Sequence, residues 1–179
     1  MAKLLQIAQL GHPVLRKTAA RVKDPNAAFI EPLIADMMET VGDAAGVGIA
    51  APQVYESYRI FIMASRPNAR YPNAPKMPPT ALINPEIIDR SDKIAKDWEG
   101  CLSIPGIRAK VPRAVQVQVR YTGTDGIEQT AVFDDFLARV FQHELDHLDG
   151  KVYLDRVETN LDIVTEKEFW KIMGGASSR

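Results

Sequence analysis

Val115-Gln116-Val117-Gln118-Val119-Arg120, then Thr124-Asp125-Gly126, then residues 127–133, then a run from Asp134 to Leu148 together decide the fold class. Three valines alternate with polar residues, the period of a strand with one buried face. Thr-Asp-Gly is a turn signal, so the segment that returns over 127–133 is read as the antiparallel partner. The pattern then becomes helical: Asp134 or Asp135 offers a cap, and Gly150 lies just past an end near Leu148. Strands that pair locally before a helix, instead of alternating with crossover helices, predict an α+β fold.

Working outward, Phe29, Ile30, Leu33, Ile34, Met37, Met38 and Val41 form a helical stripe within residues 26–44. Pro32 interrupts the stripe, so the regular helix is expected to begin there, with the proline at its first position. The small-residue segment Gly46-Val47-Gly48-Ile49-Ala50-Ala51-Pro52-Gln53 follows, and Ile60-Phe61-Ile62-Met63 reads as a buried strand. Pro67, Pro72, Pro75, Pro78 and Pro79 mark residues 65–79 as a surface loop. Ala81-Leu82-Ile83 and Ile87-Ile88 suggest a strand pair, or one strand interrupted at Pro85. A last helix is expected over about 165–173, before a tail at about 174–179 that should fray. No repeat or charge block divides the chain. Residues 1–179 read as a single domain of short, mostly antiparallel strands around a central helix.

Composition narrows the function. The 179 residues carry 22 Lys+Arg against 23 Asp+Glu, a net charge of −1, which gives no electrostatic footprint for nucleic acid or an anionic membrane. No apolar stretch is long enough to span a bilayer, and the N-terminus turns polar at once, so a cytoplasmic protein is expected. An organellar form would require a transit peptide already removed. The single cysteine, Cys101, excludes an internal disulfide, and with only His12, His143 and His147 there are four nitrogen or sulfur ligands in all.

His143-Glu144-Leu145-Asp146-His147 is H-E-x-x-H within the expected helix. Four helical residues turn the chain by about 400°, so both imidazoles leave one face and can close on one metal ion while Glu144 reaches its water. A third protein ligand is still required for a catalytic site. Glu158 and Asp162 are candidates downstream, His12 sits in an exposed-looking Gly11-His12-Pro13 turn, and Cys101 lies in Glu99-Gly100-Cys101-Leu102-Ser103. Val140 and Arg139 precede His143 by three and four residues and project near the metal face, with Phe136 one turn further back. Arg139 has two other readings, a solvent-facing side chain or a pair with Asp135. Glycine at position 48 leaves room for an extended peptide to lie alongside.

Three segments in this order, Gly46 to Gln53, Glu99 to Ser103 and Gln142 to His147, resemble the signatures of the peptide deformylases. The resemblance spans about residues 5 to 155. It implies a metal held by Cys101, His143 and His147, with Glu144 as acid/base while a metal-bound water attacks a formyl carbon. It assigns oxyanion donors to the Leu102 backbone N–H and the Gln53 amide, and substrate backbone contacts to the region of Val47 and Gly48. Val140 then belongs to the wall of a methionine pocket, where Arg139 stands in place of the aliphatic residue of many bacterial members. Glu99 is expected to support the site, paired with Arg108 or Arg113. The implied activity removes formyl from the N-terminal formyl-methionine of nascent chains, with one divalent ion, Fe²⁺ in cells, replaceable by Zn²⁺, Ni²⁺ or Co²⁺. The implied partners are N-formyl-methionyl peptides, with weak ribosome contact through a C-terminal segment in which Lys167 and Lys171 are balanced by Glu166 and Glu168. The competing readings are an ordinary metallopeptidase, with a downstream acid as third ligand, and a catalytically silent relative.

Overall fold

Two antiparallel sheets flank a central helix in the computed structural model, which describes residues 2–68 and 71–174. The first elements in chain order are α1 (Ile30–Asp43), β1 (Gly48–Ala50), β2 (Ile60–Met63), β3 (Thr80–Arg90) and β4 (Ile94–Cys101). They are followed by β5 (Ile104–Ala114), β6 (Gln116–Thr122), β7 (Glu128–Asp134), α2 (Asp135–Leu148), β8 (Ile163–Thr165) and α3 (Glu166–Ile172). One sheet has the order β1-β2-β3-β6-β7 and the other β4-β5-β8. The chain adopts the α+β architecture expected from its hairpin and helix.

The β6–β7 hairpin runs in unbroken register from Gln116 opposite Asp134 to Thr122 opposite Glu128. Strand passes into helix through one left-handed residue, Asp135 at φ +44°, whose N–H donates to the Val115 carbonyl at 2.7 Å. Asp134 occupies the cap position without capping; its Oδ1 instead accepts from Gln116 Nε2 at 2.7 Å. Gly150 follows the helix at φ +70°, where an added Cβ would stand 2.8 Å from the Arg16 carbonyl. Only glycine satisfies both demands.

α1 begins at Ile30, two residues ahead of the expected start. Pro32 is tolerated there because N–H groups in a helix's first turn have no partner within the helix. Within the five-stranded sheet, β2 is covered on both faces, whereas β6 and β7 leave one face largely exposed. Phe61 and Met63 of β2 pack with Leu82, Val117, Val119 and Phe141 toward α2, whereas Ile60 and Ile62 join Ile34, Met37 and Val41 of α1. A strand buried on both faces reads as an uninterrupted apolar run, which is why β2 is plain in the sequence. β3 is one strand with a register shift between Ile83 and Glu86. Asn84, at φ +50°, bonds both the N–H and the carbonyl of Val22 at 2.9 Å, and the irregularity absorbs Pro85.

The second sheet has no clear signal in the sequence. β4 is largely exposed, and β5 contains Pro105, Gly106 and Pro112. α3 forms as expected, capped by Thr165 Oγ1 accepting from the Glu168 N–H at 3.4 Å. The tail expected to fray lies, beyond Gly174, outside the described residues. Among those described, no helix is long and apolar enough to cross a membrane.

Candidate metal centre

β4 and α2 bring the donor atoms together. Cys101 ends β4 where the register slips between Glu99 and Cys101, and its Sγ lies 3.3 Å from His147 Nε2. His143 and His147, one turn apart, have ring centroids separated by 5.1 Å. One ligand atom from each of the three residues falls within 4.8 Å of the others. Sγ also accepts from the Ser103 N–H and from Gln53 Nε2, both at 3.4 Å. Burial pushes the thiol up, but the charge of His147 and hydrogen bonds from both imidazoles reverse this and hold it down at about 5. A thiolate and two imidazoles fit a single divalent ion with one position left open. The other candidate ligands lie elsewhere. Glu158 and Asp162 flank Lys96 Nζ at 2.8 and 2.7 Å, and His12 Nδ1 accepts from the Val14 N–H at 3.2 Å.

Glu99 orients the first imidazole. Its buried carboxylate accepts from His143 Nδ1 at 2.9 Å, from Arg113 Nε and Nη2 at 2.9 and 3.0 Å, and from Arg139 Nη1 at 2.9 Å. Binding the proton at Nδ1 leaves Nε2 as the ligand nitrogen. Burial works against ionising Glu99, but the His143 bond and the Arg113 charge outweigh it and keep the carboxyl far below its usual range. Of the two expected arginines it is Arg113 that pairs here. Arg108 turns instead to Glu166 at 2.8 Å and the Tyr71 hydroxyl at 3.1 Å. Gly100 makes room for it, since a Cβ there would fall 2.6 Å from Arg108 Nη1.

Arg139 takes neither of its alternatives, solvent or Asp135. It is buried, donating also to the carbonyls of Val111 and Ala95 at 2.7 Å each. Asp146 is a member of the site that sequence reading passes over. It accepts from Arg113 Nη1 at 2.6 Å and Arg156 Nη2 at 2.7 Å. The signal for it was electrostatic: a carboxylate in the last turn of a helix opposes the macrodipole and calls for a cation.

Glu144 is 4 % exposed, and its Oε2 has no hydrogen-bond partner among the described residues. Burial pushes its carboxyl up to about 7. The space beside Gly48, expected to admit a peptide, is occupied by this side chain: an added Cβ would lie 2.4 Å from Glu144 Oε1. β1 is nevertheless the edge strand of its sheet. Gln53 is locked by Oε1 accepting from the Ala50 N–H at 2.8 Å, while Nε2 faces Cys101 and donates to Ser103 Oγ at 3.1 Å. One cavity is lined by Val47, Gly48, Gln53, Cys101, Leu102, Val140, His143 and Glu144, with Tyr71, Trp98, Phe136 and Arg139 as further walls.

A family model described as polypeptide deformylase matches residues 4–161. Peptide deformylase 2 of a Nostoc species is 54% identical over 171 residues, covering 96% of each chain. Peptide deformylase 2 of Shewanella oneidensis is 45% identical, covering 86% of this chain and 84% of the relative. Among solved structures, the Met-Ala-Ser-bound class I type b peptide deformylase from Acinetobacter baumannii superposes with a TM-score of 0.85 at 43% identity, covering 88% of this chain and all of that one. The actinonin complex of the Synechococcus elongatus enzyme gives 0.79 at 36% identity, covering 96% of this chain and 87% of that one. With a Cys–His–His donor set beside a buried glutamate, a family model matching residues 4–161 and a relative 54% identical over 96% of the chain, the protein belongs to the polypeptide deformylase family.

Proposed function

We propose that residues 1–179 act as one catalytic domain that hydrolyses the formyl group from the N-terminal formyl-methionine of new polypeptides through the residues around this cavity. The observation that carries the assignment is the convergence of Cys101, His143 and His147 beside the buried, unpartnered Oε2 of Glu144. Cys101, His143 and His147 would hold the ion. When bound, a divalent ion supplies Lewis acidity, making water nucleophilic near neutral pH and polarising the formyl oxygen. Glu144 accepts the proton of the attacking water at Oε2 and returns it to the departing amine nitrogen. Gln53 Nε2 and the Leu102 N–H donate to the oxygen on which negative charge develops. Val47 and Gly48 pair with the substrate backbone along the edge of β1. Val140 and Phe136, with the Arg139 stem, receive the methionine side chain. The Met-Ala-Ser held by the Acinetobacter relative supports a peptide of this class as ligand.

The resident metal in this reading is Fe²⁺, with Zn²⁺, Ni²⁺ and Co²⁺ as substitutes, because availability rather than affinity order decides occupancy of such a site. The compartment is the cytoplasm. Contact with the ribosome is weak and runs through residues 160–179, so deleting them should lower ribosome affinity in sedimentation; unchanged affinity removes that contact. The decisive assay is formate release from formyl-Met-Ala-Ser by protein loaded anaerobically with each metal. Glu144→Gln should lower turnover by about 10²–10⁴-fold while retaining metal. Cys101→Ala should lose both metal and activity. Retention of both in Cys101→Ala would point to a downstream acid as ligand and to an ordinary metallopeptidase.

A further inference from the structure

The cavity at the metal centre accommodates the start of a peptide, whereas the substrate continues as a chain. Resting on the deformylase reading above, we propose that the groove between the end of α1 and the proline-rich loop binds residues four to six of the formylated peptide, favouring an apolar side chain followed by acidic ones.

The direction of the chain follows from β1. Gly48 lies against Glu144, so the reacting end of an extended peptide on this edge sits at Gly48. Toward Gln53 the path is closed: Ala50 and Ala51 are fully buried, and the Ala50 N–H is taken by Gln53 Oε1. The peptide therefore leaves past Gly46. Gly46 and Val47 lead into β1 at Gly48, and an extended peptide at about 3.3 Å per residue covers this three-residue stretch with about three residues, so residue four arrives beyond it.

Gly46 is the saddle between the two depressions and lines both. A Cβ there would stand 2.9 Å from Val41, which belongs to the groove, and 3.1 Å from Leu102, which belongs to the metal cavity. Glycine keeps the passage low. The groove beyond has an apolar floor that includes Met38, Val41 and Met77. Ser65 is 2 % exposed there, with an Oγ that has no partner among the described residues and is available to a peptide group. Arg66 and Lys76 are the only charged residues among those lining it, and neither makes an ion pair with the described residues. The carbonyls ending α1 would disfavour an acidic ligand, but those of Thr40, Val41 and Gly42 are already bonded by the N–H groups of Ala44, Gly46 and Ala45 at 3.0, 2.9 and 3.2 Å. Arg66 and Lys76 thus give the lining of the groove a net positive charge.

The test compares formyl-Met-Ala-Ser, formyl-Met-Ala-Ser-Leu-Glu-Glu and formyl-Met-Ala-Ser-Leu-Lys-Lys on the metal-loaded enzyme. At low salt, kcat/KM for the acidic hexapeptide should exceed that for the lysine peptide about fivefold, and the gap should narrow at 0.5 M salt, as exposed charge pairs are screened. The double variant Arg66→Glu, Lys76→Glu should invert the preference while turning over formyl-Met-Ala-Ser like the parent. Equal kcat/KM for the two hexapeptides, or a preference untouched by the double variant, overturns the groove. Failure to hydrolyse any of the three peptides overturns the deformylase reading instead.

Discussion

The two sheets are joined to α2 by different physics. The five-stranded sheet meets the helix across an apolar layer in which the Phe141 ring lies 5.2 Å from Phe61 and 5.8 Å from Phe133. The three-stranded sheet has a small cluster of its own, around Val111, Val152 and Tyr153, and reaches α2 through buried charge. Arg113 of β5 spans Glu99 of β4 and Asp146 of α2, while Arg139 of α2 reaches back to β4 and β5. Apolar burial is non-directional and supplies stability. Charge-assisted hydrogen bonds have fixed geometry and add little net stability once desolvation is counted. The site needs the second kind where Cys101, carried by a strand, must keep its place against histidines carried by a helix.

Breaking each attachment should give a different signature. Glu99→Ala leaves Arg113 and Arg139 buried without their shared acceptor and should cost about 3–5 kcal/mol in denaturant unfolding. It should also weaken metal affinity by about 10–100-fold, because His143 loses its orienting partner. Leu82→Ala, in the apolar layer, should cost about 3 kcal/mol yet leave metal affinity within about threefold. Equal loss of metal in both variants would erase the distinction between the sheets.

Smaller effects sharpen the contrast at the cavity and at the far edge. Gly48→Ala should lower kcat/KM roughly 100-fold with little change in melting temperature, because the new methyl displaces the Glu144 carboxylate without opening a core. Glu144 holds its proton more tightly folded than unfolded. Its burial therefore costs nothing below about pH 4.5, a growing amount as pH rises to about 7, and a constant amount above. Metal-free Glu144→Gln should accordingly be more stable than the parent by about 3 kcal/mol at pH 8, with no difference at pH 4. Thr165→Ala removes the cap of α3 beside β8 and should cost about 1 kcal/mol, with activity retained.

The apolar half of the molecule announces itself in sequence because burial imposes a period. Alternating Val117 and Val119 mark a strand with one covered face, and the unbroken run of β2 marks one covered on both. The polar half imposes no period. β4 and β5 are strands because they pair with each other and are fastened to α2 by residues remote in sequence, and Pro105, Gly106 and Pro112 break up any periodic signal there. At the site, spacing on one helix makes His143, Glu144 and His147 legible, and three motifs together bring in Cys101, Gln53 and Leu102. The course of Arg139 was not legible. An arginine on a helix faces water unless acceptors wait for it, and the Glu99 carboxylate with the Ala95 and Val111 carbonyls belongs to the sheet that sequence does not reveal.

Glu99 receives four donors, about as many as a carboxylate can accept, and all four come from the protein itself. His143 is thus aimed by the fold and not by the ion it will hold. In small zinc modules, metal binding and folding are a single event. Here the alignment of His143 rests on Glu99 and its arginines, so stripping the metal is expected to leave the fold intact, which far-UV circular dichroism of the chelated protein would check.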